Sequence, residues 1–293
     1  MVTFSERTQR AATKLQDESE GLVLELAEIS RRLATEVRGT RLCDLALTNI
    51  DLIDRNLYER TCDCRWWATD GAMVAVLEHP GETTAKVATQ RLSVILKAYT
   101  VYFDIVLADL QGRIIATGRP GTYRSQGSMH ANAPWFKAAL VTSNGDDFGF
   151  QSVHASSLVG GARALVYSCK VCRGGDAQSA PMGVLGVVFN WDGLAQKIVH
   201  ETPIEDAKRA TTRVCVVDHE GTVLADSRDK ILVEKIELPE RTSFFAGKKN
   251  SKRATVNGAD LLVAHAQSPG FETYRTGWHS LIMEELDRSN DPG

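Results

Sequence analysis

The sequence predicts an α+β fold: a long N-terminal helix followed by two similar modules, each built on an antiparallel sheet. Three observations carry that expectation. The stretch Tyr102 to Gly118, YFDIVLADLQGRIIATG, reads as two strands joined at Asp109-Leu110-Gln111-Gly112. Its Asp offers a side-chain hydrogen bond to the turn and its Gly a residue free to take positive φ. The pattern returns at Arg213 to Ser227, RVCVVDHEGTVLADS, with Asp218 and Gly221 in the corresponding places. Two copies of one hairpin indicate two copies of one module. Ahead of both, Leu15, Leu22, Leu26, Ile29 and Leu33 follow heptad spacing among charged residues, the pattern of a helix that pairs with a second helix.

The elements follow in order. Residues 6 to 38 read as an exposed amphipathic helix whose narrow apolar seam favours self-association over lying along its own domain. Gly39 interrupts the seam and is a candidate bend. Leu42, Leu45, Leu47, Ile50, Ile53 and Leu57 then form a broader face, suited to burial on a folded body. Trp66 and Trp67 beside Arg65 point about 100° apart on a helix, so one anchors it and the other covers a flank. An aromatic cage for a cation is the sharper alternative. Residues 83 to 100 form another helix, with Val87, Ala88, Leu92, Ile95, Leu96 and Tyr99 as its apolar face. After the first hairpin comes a polar loop, then Pro134-Trp135-Phe136, where Pro suits a helix start. Strands follow at 147–154, 162–171 and 183–190, and a short helix at 191–200. The second copy holds its hairpin, a charged variable region at 231–250, and strands at 253–256, 260–266 and 278–283. The expected division is a dimerising helix at 1–60, a first, ligand-binding module at 61–202 and a second, smaller module at 203–293.

With 293 residues, two domains are a fair prior. A formal charge of −3 gives no electrostatic footprint for nucleic acid. No apolar run is long enough to span a bilayer, and the polar start lacks the apolar centre of a secretory signal. The expectation from these features is a cytoplasmic chain, with an excised periplasmic or extracellular sensor domain as the alternative. The six cysteines, Cys43, Cys62, Cys64, Cys169, Cys172 and Cys215, are then expected to be reduced. Cys62-Asp-Cys64 and Cys169-Lys-Val-Cys172 do not match zinc-ribbon spacing. No G-x-S-x-G, H-E-x-x-H or Walker sequence occurs, and the histidines lack metal-ligand spacing. A non-enzymatic chain without cofactor or bound metal is expected.

The order of long helix, shorter helices, Asp-x-x-Gly hairpin, loop with Trp135-Phe136, three strands, connecting helix and a smaller second copy resembles a double Cache sensor domain. Such domains are tandem PAS-like modules of bacterial chemoreceptors and sensor kinases. The resemblance covers roughly residues 40 to 286. The stretch from Asn56-Leu-Tyr-Glu-Arg-Thr-Cys-Asp through Trp66-Trp67-Ala-Thr-Asp70 also resembles a subgroup of bacterial Cache proteins. The resemblance implies a ligand pocket in the first module, a supporting second module and a dimer whose helices carry the signal.

Amino-acid-binding members share an Arg-x-Trp-Tyr motif and a following Asp. Here Phe136 replaces the Tyr, Ala133 stands at the Arg position and His154 about where the Asp falls. A free amino acid is therefore not the expected ligand. Arg119, Tyr123 and Arg124 of the loop, with His154 and Tyr167 as neutral partners, instead suit a small polar metabolite, a carboxylate among the candidates. Tyr102 and Asp104 contribute the sheet floor. Each has a plainer reading: Trp135 and Phe136 as core, His154 as a satisfied strand residue, Arg119 and Arg124 as solvated charges. The expected function is sensing of a small molecule in bacterial signal transduction or chemotaxis, with output through a separate signalling protein or a missing output segment. The alternative is a metal or redox sensor built on Cys62, Cys64, Cys169 and Cys172.

Overall fold

The computed structural model of the chain describes residues 4–256 and 258–286; residues 1–3, 257 and 287–293 of the expected spans lie outside them. Helix α1 runs from Phe4 to Ala68. Its first half stands in solvent, with Leu15, Leu22, Leu26, Ile29 and Leu33 all exposed. Its second half is core: Leu42, Ala46, Ile50, Ile53 and Leu57 are fully buried. The helix continues through Gly39 rather than ending or breaking there. A Cβ at Gly39 would come within 2.3 Å of Ser251 Oγ, so this glycine serves a close approach of the second sheet. Trp67 packs edge-on against Tyr99 and Tyr102, while Trp66 stays exposed.

Asp70 caps α2 (Gly71–Glu78) through a bond from Ala72 N, and α3 (Glu82–Ala98) follows. The first sheet comprises β1 (Tyr102–Asp109), β2 (Ile114–Thr117), β3 (Gly149–Ala155), β4 (Arg163–Cys172) and β5 (Pro181–Asn190) in the order β2-β1-β5-β4-β3, with α4 (Pro134–Leu140) on one face. Helices α5 (Trp191–Glu201) and α6 (Asp206–Arg209) lead to the second sheet. It comprises β6 (Thr212–Val217), β7 (Val223–Asp226), β8 (Lys249–Val256), β9 (Ala259–Gln267) and β10 (His279–Glu285) in the matching order β7-β6-β10-β9-β8. Helix α7 (Arg241–Ala246) occupies the place of α4. The charged composition of 231–250 concealed it.

The duplication holds at the level of single hydrogen bonds. Asp109 Oδ1 accepts from the amides of Gln111 and Arg113, and Asp218 Oδ1 from those of Glu220 and Thr222. Gly112 and Gly221 take φ of 80° and 85°. The segment after each hairpin runs alongside its second strand, bridging Arg113 to Met129 and Thr222 to Lys235.

Each sheet has two different faces. One face of both sheets joins a single core along α1, which includes Tyr102, Ile105, Leu107, Tyr167, Leu185 and Phe189 from the first sheet and Val214, Val216, Leu262 and Ile282 from the second. The opposite faces carry separate cores, under α4 in the first copy and under α7 in the second. Asp54, buried on α1, accepts from Ser268 Oγ, Gly270 N and Thr276 Oγ1, tying the 268–276 loop to the helix. The Trp191 indole donates to Leu224 O at 2.6 Å, and the Tyr167 and Tyr274 hydroxyls meet at 2.7 Å.

Candidate functional site

The candidate site lies on the α4 face of the first sheet. Pro134 opens α4, and Trp135 N donates to Gln151 Oε1 at 3.2 Å. Two glycines let the helix lie against the strands. A Cβ at Gly149 would stand 2.4 Å from Ala139 N, and one at Gly186 would stand 3.0 Å from the Trp135 ring. The contact at Gly149 is with backbone, which cannot rotate away. Gly149→Ala is expected to lift α4 and lower stability by about 1–3 kcal/mol, the usual scale of overpacking; an unchanged urea midpoint would refute this. Trp135 and Phe136 meet edge-to-face at 5.7 Å and are buried. His130 lies 6.0 Å from Trp135, its basicity lowered by burial.

Asp104 is the unusual member. A bulge between Tyr102 and Asp104 sets both Phe103 and Asp104 opposite Val188, on the α4 face. The Asp104 side chain is fully buried. Its Oδ1 accepts from the amides of Ile105, Gly118 and Arg119 at 2.8, 2.9 and 3.1 Å. Its Oδ2 has no partner. Burial pushes the carboxyl up to about 6, against the opposing pull of the three amides and the Arg119 charge. Thr117 Oγ1, Ser125 Oγ and Trp135 Nε1 are likewise buried and unpartnered. Thr117 pairs with Val106 across the hairpin, which puts its side chain on the same face. Buried polar atoms are nearly always hydrogen-bonded. Four of the nine such side-chain atoms among the described residues thus lie on α4, the loop before it and the strands beneath.

The residues singled out from sequence are divided by the sheet. Asp104, Trp135 and Phe136 stand on the α4 face, and Tyr123 packs against the same core. His154 pairs with Ala164 on edge strand β3, half-exposed, with Nδ1 at 2.8 Å from Ser152 O. Arg119 is half-buried and Arg124 exposed. Neither guanidinium makes a hydrogen bond or ion pair among the described residues. Tyr102 and Tyr167 stand on the opposite face. Tyr102 donates to Asp63, with the Arg60 guanidinium 5.3 Å from its ring centre, and Tyr167 meets Tyr274. Sequence reasoning missed Thr117, Ser125, His130 and Gln151. Of these Thr117 was readable from the repeat, since it aligns with Asp226.

A cleft of about 940 Å³ lies elsewhere, between α2, α3 and the tip of the first hairpin. Its polar lining, Glu82, Lys86, Gln111 and Arg113, is exposed to solvent, so none of those groups needs a ligand for satisfaction. All six cysteines are free thiols; Cys62 is half-buried and the others buried. Cys64 and Cys169 share the α1 core, where burial raises the Cys64 thiol well above its ordinary value. No group of three or more His, Cys, Asp or Glu side chains is placed to hold a metal among the described residues.

No family model matches the sequence, and no curated protein matches it. Solved structures do. The ligand-binding domain of the Campylobacter jejuni chemoreceptor Tlp3, in complex with 4-methylisoleucine, is similar with a TM-score of 0.63 at 16% identity, over 88% of this chain and 94% of that one. The ligand-binding domain of the Pseudomonas fluorescens chemoreceptor CtaA, in complex with L-leucine, gives 0.58 at 15% identity, over 87% and 98%. The extracellular domain assigned to the histidine kinase rpHK1S-Z16 gives 0.64 at 10% identity, over 89% and 100%. These likenesses overturn the expectation of a cytoplasmic chain: the solved chains that share this architecture are chemoreceptor ligand-binding domains and an extracellular domain. The argument for reduced thiols, which rested on that compartment, falls with it. No described helix is long and apolar enough to cross a membrane. The long helix, the two sheets of matching order and the near-complete coverage of these sensor domains give the chain the double Cache fold.

Proposed function

We propose that this chain is a sensory ligand-binding domain that takes up a small polar molecule on the α4 face of its first sheet and transmits the event through α1. The buried, unpartnered polar atoms of Asp104, Thr117, Ser125 and Trp135 carry the reading. A ligand that met them would recover hydrogen bonds the free protein forgoes. The neighbours support the class, since the Tlp3 and CtaA domains hold amino acids. Signalling follows from population shift: a ligand that draws α4 and its loop onto the sheet favours one packing of the sheet on α1. The exposed seam from Leu15 to Leu33 pairs with a second copy, and the output passes to a signalling partner. The first unit then binds, the second supports, and the chemistry is recognition rather than catalysis.

A thermal-shift screen of organic acids, amines, purines and sugars tests this. A true ligand at a hundred times its Kd stabilises by about 2.7 kcal/mol. Its affinity should fall in Trp135→Phe, which keeps an aromatic ring and removes the indole N–H. A hit whose affinity is untouched by both Trp135→Phe and Asp104→Asn would move the site out of this face. For the stem, Leu26→Asp together with Ile29→Asp should convert a sedimenting dimer to monomer without changing the melting temperature of the sheets.

A further inference from the structure

The two copies match residue for residue through the hairpin, and the match exposes a charge reversal. Gly118 N donates to Ile105 O in the first copy, and Ser227 N to Val214 O in the second. Asp104 therefore corresponds to Arg213, and Thr117 to Asp226. Ser128 corresponds to Glu234, because Ile114 N meets Ser128 O as Val223 N meets Glu234 O. In the second copy these three form a closed ionic cluster. Arg213 holds Asp226 through Nε and Nη2 at 2.9 and 2.8 Å, and Glu234 through Nη1 and Nη2 at 2.8 and 3.2 Å. The chain has filled that position with a guanidinium of its own.

In the first copy the corresponding positions hold a carboxylate with a bare oxygen and a hydroxyl with no partner, both fully buried and on the same face of the sheet. Arg119 binds Oδ1 through its main chain, and its guanidinium reaches no acceptor. A buried carboxylate keeps its charge most readily beside an opposite one. We infer that the first module recognises a cationic group, a primary ammonium or a guanidinium, which docks against Asp104 Oδ2 and Thr117 Oγ1 where the second module uses its own Arg213. The inference rests on the ligand-binding reading above and specifies the ligand's chemistry within it.

A matched set of probes tests it on the full chain: butylammonium, butylguanidinium, butyrate and n-butanol, followed by thermal shift and calorimetry. The cationic pair should stabilise the protein and the other two should not. Asp104→Asn keeps the acceptor that caps the Gly118 turn and removes the charge. It should weaken cation binding about 10- to 100-fold, the scale of a charge-assisted hydrogen bond. Thr117→Val should weaken it several-fold. The double exchange Asp104→Arg with Thr117→Asp reproduces the pair of the second copy. It should raise the melting temperature without probe and abolish the response. Cation binding that survives Asp104→Asn unchanged overturns the inference. So does a response to butyrate or butanol alone; if Trp135→Phe weakens that response, the ligand-binding reading stands while the cationic one fails. Silence across these probes and the wider metabolite screen would overturn both.

Discussion

Arg213→Ala is expected to lower the unfolding free energy by about 3–5 kcal/mol, the range found when one partner of a buried ion pair is removed. The guanidinium forms the bidentate pair with Asp226, which is fully buried, and a second pair with Glu234. Asp226 Oδ2 also accepts from Lys230 N, so the carboxylate fixes the turn after β7. Without Arg213 that carboxylate stays in a dry interior with no counter-charge. The loss belongs to the stranded anion, so the double variant Arg213→Ala with Asp226→Ala should recover a large part of it. Exposed pairs set the contrast. Arg228–Glu285 and Lys235–Glu220 lie in solvent, and breaking either should change stability by less than about 1 kcal/mol. Urea unfolding of the four variants reads the difference. A loss below 1 kcal/mol for Arg213→Ala would show that the cluster is not desolvated in solution.

Acidification from pH 7 to pH 4 is expected to withdraw about 3 kcal/mol from the second sheet through its buried histidines. His265 and His279 face each other with Nδ1 atoms 3.4 Å apart. Phe245 stacks on His279 at 4.0 Å, and Phe244 lies 4.6 Å from His265. Burial lowers both rings, and His279, also opposed by the positive charges of His265, Arg275 and His219, is pushed down to about 4. An unfolded chain takes up a proton near pH 6.5 that the folded site refuses until about 4. Stability is therefore whole above pH 6.5 and is lost as the pH falls through that window. Asp104 acts with the opposite sign. Its carboxyl, raised to about 6, is protonated in the folded state while still ionised in the unfolded one, so falling pH relieves the first sheet. His279→Phe should flatten the loss measured by urea unfolding across that range. An identical pH profile in that variant would refute the assignment.

The hairpins were legible because their signal is local: Asp and Gly at fixed spacing dictate the turn whatever surrounds it. The helix seam and its widening after Gly39 were legible for the same reason. The faces of the first sheet were not. Strands β1, β4 and β5 are buried on both sides, so hydrophobicity does not alternate along them and cannot say which way Tyr167 points. At Tyr102 the bulge breaks the period of two, which carries Asp104 to the α4 face and leaves Tyr102 on the other. Helix α7 was hidden because a short helix in a charged stretch owes its place to Phe244 and Phe245 packing on β9 and β10 rather than to its own periodicity. The close approach that Gly39 serves was hidden because a sequence cannot reveal Ser251 arriving from more than two hundred residues away.

The unbroken course of α1 has a mechanical consequence. Its buried half packs on both sheets and is tied down by Asp54, Asn49, the Arg38–Glu284 pair and the bond from Arg253 to Thr35, while residues 4–34 project beyond these contacts. At 1.5 Å per residue that projection measures about 50 Å. A rod of this length converts rotation at its root into displacement at its tip: a tilt of about 5° moves the far end by about 4 Å. Across the roughly 22 Å from Leu42 to Leu57 the same tilt is a shift of about 2 Å in how the buried half is seated, so the far end moves about twice as far as the seat, by most of a helical turn.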